Sequence, residues 1–198
     1  IPEIPIYVDS PMATNATSIF QVHPECYDEE THKAFLTHHK NPFGFNSLRF
    51  TQSVEESKHL NELEGPMIII SADGMCEAGR IVHHLYNNIE DPNTTILLVG
   101  FMAENTLGRR LQNGEEEVKV IGEWKKVRAK IEQINAFSAH ADYQETLDWL
   151  KEIDTSRLKK IFLVHGEKAA QKNLTKVLNE NGFNDVEVIS YGRTYILD

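Results

Sequence analysis

The chain has 198 residues, enough for one large domain or two small ones, and its hydrophobic fraction of 40% and charged fraction of 25% are typical of a soluble globular protein. No apolar stretch approaches the roughly 20 residues that cross a bilayer, so we expect no membrane partner. The two cysteines of the chain, Cys26 and Cys76, are too few for a disulfide framework and favour a reducing, cytoplasmic location. The net charge of −10 is concentrated in residues 1–115, which hold 7 Lys or Arg against 16 Asp or Glu, and this excludes a broad basic face for nucleic acid.

The first part of the chain alternates strands with helices, the pattern of a parallel α/β sheet. Ser10-Pro11 supplies a cap and a first-turn proline, and Ser53 with Glu56 forms a capping-box pattern. The predicted strands are 4–8, 48–51, 67–70 and 95–99, and the predicted helices are 12–22, 28–39 (ended by a turn at 41–44), 53–63 and 78–89.

From about residue 116 the pattern changes to short strands with turns, and the charge becomes nearly balanced. This predicts two domains, 1–115 and 116–198. The chain begins at Ile1, directly before a strand and without an initiator methionine, so we expect it to be a piece of a longer polypeptide. The predicted elements of the second domain are strands 118–121, 127–134, 160–164, 187–190 and 194–197, a turn at 122–124, and helices 143–153 and 169–181.

Two histidines follow predicted strands. His140 lies among the small residues Ser138, Ala139 and Ala141, and His165 ends an apolar strand and is followed by glycine. If the two strands are parallel neighbours with a right-handed crossover, both imidazoles emerge at one edge of the sheet, where sites in open α/β sheets form. Each histidine is then a metal ligand or catalytic base, or else a solvated or backbone-bonded structural residue.

Residues suited to helix N-termini accompany both histidines. Asp142 with Glu145 fits a capping box that would fix the turn carrying His140. Glu167 favours the start of the next helix electrostatically. The small hydroxyl residues Ser10 and Thr106 also follow strands, and a polar ledge of such caps along one sheet edge would suit a run of phosphates.

The turn at 71–75 with Gly79-Arg80 is similar to an anion cradle. Ser71 follows a strand, Gly74 permits a turn with positive φ, and Arg80 has the geometry to clamp a phosphate with two nitrogens. An ordinary strand-to-helix turn explains the same residues. The adjacent pair His83-His84 must point to different faces of a helix, so one is expected to line a cleft and the other to pack or face solvent.

The motifs, taken together, resemble those of the β-CASP metallo-β-lactamase nucleases. That family includes the endonuclease of mRNA 3′-end processing, ribonuclease J and their bacterial and archaeal relatives. One departure is Ala78, where relatives often carry a second glycine. The motifs run in order along nearly the whole chain: Tyr7-Val8-Asp9-Ser10-Pro11-Met12-Ala13, Ser71-Ala72-Asp73-Gly74-Met75, Gly79-Arg80, His83-His84-Leu85, Gly108-Arg109, Phe137-Ser138-Ala139-His140-Ala141-Asp142 and Val164-His165-Gly166-Glu167.

The resemblance implies a Rossmann-like β-CASP cap in residues 1 to about 115, followed by the C-terminal half of a metallo-β-lactamase αββα sandwich. It implies that His165 ligates one of two zinc ions and that His140 assists proton transfer to the leaving oxygen. Ser138 and the turn from Ser71 to Arg80 match regions that contact substrate phosphates. A histidine at position 165 is similar to the RNA-acting branch, so RNA is the expected substrate and no DNA partner is expected. Paired metals would activate water and stabilise both reacting oxygens of a phosphodiester.

The family's N-terminal half carries a His-x-His-x-Asp-His motif that this sequence does not contain. We therefore expect at most a partial zinc site here, a fragment inactive alone, and the missing N-terminal half of the same protein as a partner. A homodimer and the choice between endonuclease and 5′-exonuclease action are left open. The alternatives are a non-catalytic RNA- or phosphate-binding α/β module acting as a subunit or scaffold, and a plain phosphate-ligand domain with structural histidines.

Overall fold

The computed structural model describes residues 3–38, 47–138 and 140–196, with the side chains of residues 34–38 left aside. The chain forms two compact units, Ile1–Phe137 and Ser138–Asp198. The domain boundary predicted near residue 115 stays a prediction. The compact units divide the chain later, and residues 116–137 belong to the first unit.

The first unit alternates strands with helices up to residue 112, as its sequence pattern predicts, and then adds three consecutive strands. A short 3₁₀ turn, Pro24–Cys26, follows its first helix. Its strands are β1 (Ile6–Asp9), β2 (Leu48–Phe50), β3 (Ile68–Ser71), β4 (Thr95–Leu98), β5 (Glu117–Val120), β6 (Glu123–Lys126) and β7 (Lys130–Gln133), and its helices are α1 (Pro11–Val22), α2 (Glu29–His38), α3 (Val54–Leu60), α4 (Ile81–Asn88) and α5 (Leu107–Gln112).

A parallel three-stranded sheet, in the order β2-β1-β3, opens the first unit. Asp9 pairs with Ser71 across β1 and β3, and Val8 pairs with Phe50 across β1 and β2. Because parallel strands end at one edge, Asp9, Ser71 and Thr51, the residue after β2, lie side by side there. Ser10 caps α1 at the same edge and accepts a hydrogen bond from the Ala13 amide (3.3 Å).

The apolar core of the first unit lies around α4, α5 and the later strands. Strand β4 pairs in parallel with β7, and β5 and β6 form an antiparallel hairpin. Val118 and Val120 on the inner face of β5 are fully buried with Ile89 and Leu111, so one face of the hairpin closes this core.

The described residues of the second unit form two helices that pack against a small parallel sheet. The elements are α6 (Tyr143–Glu152), β8 (Ile161–Leu163), α7 (Lys168–Glu180) and β9 (Val186–Val188). Strand β8 pairs with β9, and Leu147, Leu150 and Leu178 of the helices pack against apolar side chains of both strands. The sequence pattern predicted all four of these elements.

Several predicted elements differ from the structure. The turn predicted at 122–124 lies at Ile121-Gly122, and the strand predicted over 127–134 is the separate β7, with β6 before it. Residues 194–196 form no strand, and residue 197, like His39 and the turn at 41–44, lies outside the described residues. Strand β7, before the His140 turn, pairs with β4 in the first unit, and β8, before the His165 turn, pairs with β9 in the second. That the strands before the two histidines are neighbours stays a prediction.

The helices are short. The longest, α7, has 13 residues, and none in the described part of the chain is long and apolar enough to cross a bilayer.

Candidate functional site

Asp9, at the end of β1, is the centre of a buried polar cluster in the first unit. The residue is fully buried, and its carboxylate receives hydrogen bonds at both oxygens. Oδ2 lies 2.6 Å from Ser57 Oγ and 2.7 Å from His84 Nε2. Oδ1 accepts from Thr51 Oγ1 and from Arg80 Nη1, the latter at 2.6 Å. The loop after β2 and the helices α3 and α4 are thus tied to the end of β1.

This environment decides the charge of Asp9. Burial alone would raise the pKa of the carboxyl group, because a buried charge loses its hydration. The hydrogen bonds from Ser57, Thr51, His84 and Arg80 outweigh burial and hold the pKa below its usual value of 3.8. Asp9 is therefore an ionised carboxylate in the interior at neutral pH, partnered by the guanidinium of Arg80.

Arg80 is held inside this cluster. Its Nη1 contacts Asp9, its Nη2 donates to the carbonyl oxygen of Gln52 (2.8 Å), and its side chain is only 17% exposed. The phosphate clamp expected of Arg80 stays a prediction, and both terminal nitrogens have protein partners in this structure.

His84 and His83 point to different faces of α4, as their adjacency requires. His83 is exposed, whereas His84 is buried between Asp9 and Asn61, whose Oδ1 lies 2.9 Å from His84 Nδ1. Asn61 also accepts from Asn88 Nδ2 at 3.1 Å. His84 therefore supports the interior of the first unit and does not line a cleft.

The loop from Ser71 to Arg80 folds back on itself. Ser71 Oγ donates to the carbonyl oxygen of Asp9 (3.1 Å), and the Asp73 carboxylate accepts from the Glu77 amide (3.2 Å). The left-handed glycine of this loop is Gly79, with φ +73°, and a Cβ there would lie 2.4 Å from the carbonyl oxygen of Ala72. Gly74, which permits a positive φ, does not adopt one here; it is exposed and has open space around it.

A second turn, at Ser138 to Asp142, precedes α6 in the second unit; Ala139 lies outside the described residues. Asp142 Oδ1 accepts from the Glu145 amide (2.8 Å), and Glu145 Oε2 accepts from the Asp142 amide (2.9 Å), which confirms the predicted capping box. Ser138 Oγ accepts from the His140 amide at 3.2 Å. These bonds fix the backbone on both sides of His140, whose side chain is exposed.

His165 lies in a strained turn between β8 and α7. It has φ +67°, a left-handed conformation in which histidine is more common than most residues, and Gly166 follows at φ +100°. Its carbonyl oxygen accepts from Gln171 Nε2 at 3.0 Å, and Glu167 is the N-cap residue of α7. The exposed His165 side chain is thereby presented beside a helix N-terminus.

The described residues do not fit a complete zinc site. Among residues 3–38, 47–138 and 140–196, no group of three or more His, Cys, Asp or Glu side chains is arranged to hold a metal ion. Zinc needs three or four such ligands. The proposal that the side chains of His140 and His165 meet at one site stays a prediction.

Comparison with known families agrees with the motif order. The family model described as "Beta-Casp domain" matches residues 1–111, more than half of the chain. The chain belongs to the β-CASP family. A second model, described as "Zn-dependent metallo-hydrolase RNA specificity domain", matches residues 124–189 of this β-CASP chain. The mixed α/β architecture with parallel sheets is the one expected of such domains.

Relatives of this β-CASP chain include proteins from bacteria and archaea. It is 34% identical to ribonuclease TTHA0252 of Thermus thermophilus over 97% of its own length and 43% of the relative's. It is 29% identical to the transcription termination factor FttA of Methanosarcina mazei over 86% of its length and 27% of that protein, and 31% identical to FttA of Pyrococcus horikoshii, over 83% and 26%. The chain thus spans less than half the length of these relatives.

Sequence reasoning did not find Asp9, Thr51, Ser57 or Asn61 as parts of a site. Arg80 and His84 stand four residues apart on one helix, which is a usable signal for a shared partner. The other signal for a buried polar site was the acidic Asp9 at the end of an apolar strand, because the alternating burial of β1 places the Asp9 side chain on the buried face.

Proposed function

We propose that this chain is part of a zinc-dependent ribonuclease that hydrolyses RNA phosphodiester bonds in RNA processing or decay. Membership of the β-CASP family supports the proposal, and so does the similarity to ribonuclease TTHA0252 of Thermus thermophilus. The observation that carries it is the presentation of two exposed histidines, His140 and His165, each on a turn that enters a helix of the second unit.

His140 is proposed to donate a proton to the leaving oxygen. A general acid needs a fixed position and access to the substrate. The Asp142–Glu145 capping box and the Ser138 hydroxyl hold the backbone of its turn, and the exposed ring is accessible.

His165 is proposed to contribute one zinc ligand. Its left-handed backbone costs free energy that an ordinary connecting turn would avoid with glycine, and such strain is often retained where a side chain must be presented. Because the described residues hold no complete ligand group, the proposal requires the other ligands to come from outside the described part of this chain.

Phosphate contacts are assigned, as part of the same proposal, to Ser138 and to the edge formed by Ser10, Ser71, Gly74 and Arg80. Ser71 is half-buried and Gly74 exposed, so this edge is partly accessible. Arg80 would act there mainly by holding the edge through Asp9.

The test uses the full-length protein and three matched histidine variants. His165→Ala is expected to lower both the bound zinc, measured by elemental analysis, and RNA cleavage. His140→Ala should retain zinc and lose about 100-fold or more in cleavage rate, the usual contribution of a general acid. His59→Ala is the control, since His59 is an exposed histidine of α3 whose imidazole pairs only with Glu62 among the described residues. Unchanged zinc and cleavage in His165→Ala would refute the assignment.

The 198-residue chain alone is expected to be inactive with added zinc. Robust zinc-dependent cleavage by it would contradict the proposed division of the ligands. The absence of a ligand group among the described residues also favours the second candidate, a non-catalytic RNA-binding module. RNA binding without cleavage by the full-length, zinc-loaded protein would decide for that candidate.

A further inference from the structure

The outer face of the β5–β6 hairpin carries an exposed tryptophan among cations. Lys119 pairs with Trp124 across the two strands, and Glu117 pairs with Lys126. Side chains alternate along a strand, and Val118 and Val120 face the core, so these four residues share the opposite face. Trp124 is 65% exposed, which is unusual for so large an apolar side chain.

Arg110 of α5 orders this tryptophan from one side. Its guanidinium carbon lies 5.7 Å from the centre of the Trp124 ring, and its Nε donates to Glu115 at 2.9 Å. A cation over an aromatic face is attracted to it and limits the orientations of the ring. The indole is thus held in place while most of its surface stays open to solvent.

The charge on this face differs from that of the whole chain. Arg110, Lys119 and Lys126 supply three positive charges against the carboxylates of Glu115 and Glu117, an excess of one cation in a chain of net charge −10. Lys119 and Lys126 flank the tryptophan, one across the hairpin and one two residues along it. Neither lysine has an ion-pair partner among the described residues.

We propose that the hairpin face formed by Arg110, Lys119, Trp124 and Lys126 binds single-stranded RNA, with a base stacked on the indole and the lysines contacting the flanking phosphates. Stacking on an ordered aromatic ring beside cations is the usual means of holding unpaired nucleotides. The inference rests on the proposed function and deepens it, since it assigns an RNA contact to residues of the first unit in addition to the two histidines.

The binding test uses the two tryptophans of the chain as a matched pair. Trp124 and Trp149 are 65% and 63% exposed and lie in different units. The probe is a short fluorescent oligouridylate, with its annealed duplex as a comparison. Trp124→Ala should weaken binding about 5-fold or more, the lower end of one base–aromatic stack, and Trp149→Ala should leave it unchanged.

Intrinsic fluorescence and salt dependence add independent readouts. In Trp149→Phe, Trp124 is the remaining tryptophan of the chain, and the oligouridylate should quench its emission. In Trp124→Phe no quenching of tryptophan emission is expected. The double variant Lys119→Gln, Lys126→Gln should lower the slope of log affinity against log salt by about 1.4, since each single-strand phosphate contact contributes about 0.7. Circular dichroism checks that each variant is folded.

Three results would overturn the inference: no binding by the wild-type chain, equal affinity of Trp124→Ala and Trp149→Ala, or a self-association that depends on Trp124 while RNA affinity does not. Failure of the proposed function is seen separately, as absent cleavage by the zinc-loaded full-length protein. Absent cleavage leaves the RNA-binding measurement unaffected, and absent binding at the hairpin leaves the cleavage measurement unaffected.

Discussion

Replacing Asp9 by asparagine should strongly destabilise the first unit. The change keeps the shape of the side chain but puts an N–H donor where two donors already point, because each carboxylate oxygen accepts from two side chains. It also leaves Arg80, 17% exposed, without its counter-charge. Removing one partner of a buried ion pair costs about 3–5 kcal/mol.

Urea denaturation measures this loss. In a Trp149→Phe background the remaining tryptophan, Trp124, lies in the same unit as Asp9 and reports its unfolding. With a urea m-value of about 2–3 kcal/mol/M, the loss corresponds to a midpoint lower by about 1–2.5 M. Asp91→Asn is the control, because Asp91 is exposed and its carboxylate accepts, among the described residues, only from its loop neighbour Asn93. Its effect should stay within about 0.5 kcal/mol.

The destabilisation should also depend on pH in a defined direction. The pKa of Asp9 is lower in the folded state than its usual 3.8, so its contribution is fully present above the unfolded pKa and is lost as the pH falls through the folded value. The stability difference between wild type and Asp9→Asn should therefore be constant near neutral pH and shrink below about pH 4. An Asp9→Asn midpoint equal to that of wild type at neutral pH would refute the reasoning.

Three further predictions concern local features. Asp142→Ala removes the cap of α6 and should cost about 1 kcal/mol in thermal unfolding; a smaller loss than about 0.3 kcal/mol would contradict the capping role. Ile121 and Gly122 form a two-residue hairpin turn with φ of 47° and 85°, a conformation that asparagine adopts more readily than isoleucine. Ile121→Asn should therefore raise the free energy of unfolding in urea by about 1 kcal/mol, and a lower free energy of unfolding would be inconsistent with relieved strain. Burial, with nearby carboxylates, raises the pKa of Cys76 to about 11, so mass spectrometry after alkylation at about pH 8 should find the exposed Cys26 modified and Cys76 protected until urea is added; equal labelling would disprove it.

Local signals explain why much of the fold was predictable. Ser10 caps α1, Ser53 with Glu56 forms the predicted capping box of α3, and Thr106 caps α5. Each pattern involves residues three positions apart, so the sequence alone contains both partners. The apolar runs of β3 and β4 are also local signals. Because strands alternate with helices in this part of the chain, the sequence also implied that the strands pair in parallel.

The strand partners and the Asp9 cluster were not predictable in this way. Asp9 binds Thr51, Ser57, Arg80 and His84, which are 42, 48, 71 and 75 residues away in sequence. Such contacts depend on which strands become neighbours, and a local pattern does not determine that choice. For the same reason, the pairing of β7 with β4 was not predicted.

Arg80 shows how the buried cluster bears on function. A phosphate approaching the sheet edge meets a guanidinium whose charge Asp9 already neutralises, at 2.6 Å, so long-range attraction from Arg80 is small. Moving Arg80 to the phosphate would leave the buried Asp9 carboxylate uncompensated, which is among the costly changes in a protein interior. The arginine motif that suggested an anion clamp therefore serves first to fix the ends of β1 and the loop after β2. Any phosphate bound at this edge depends chiefly on backbone N–H groups and hydroxyls that the cluster holds in position.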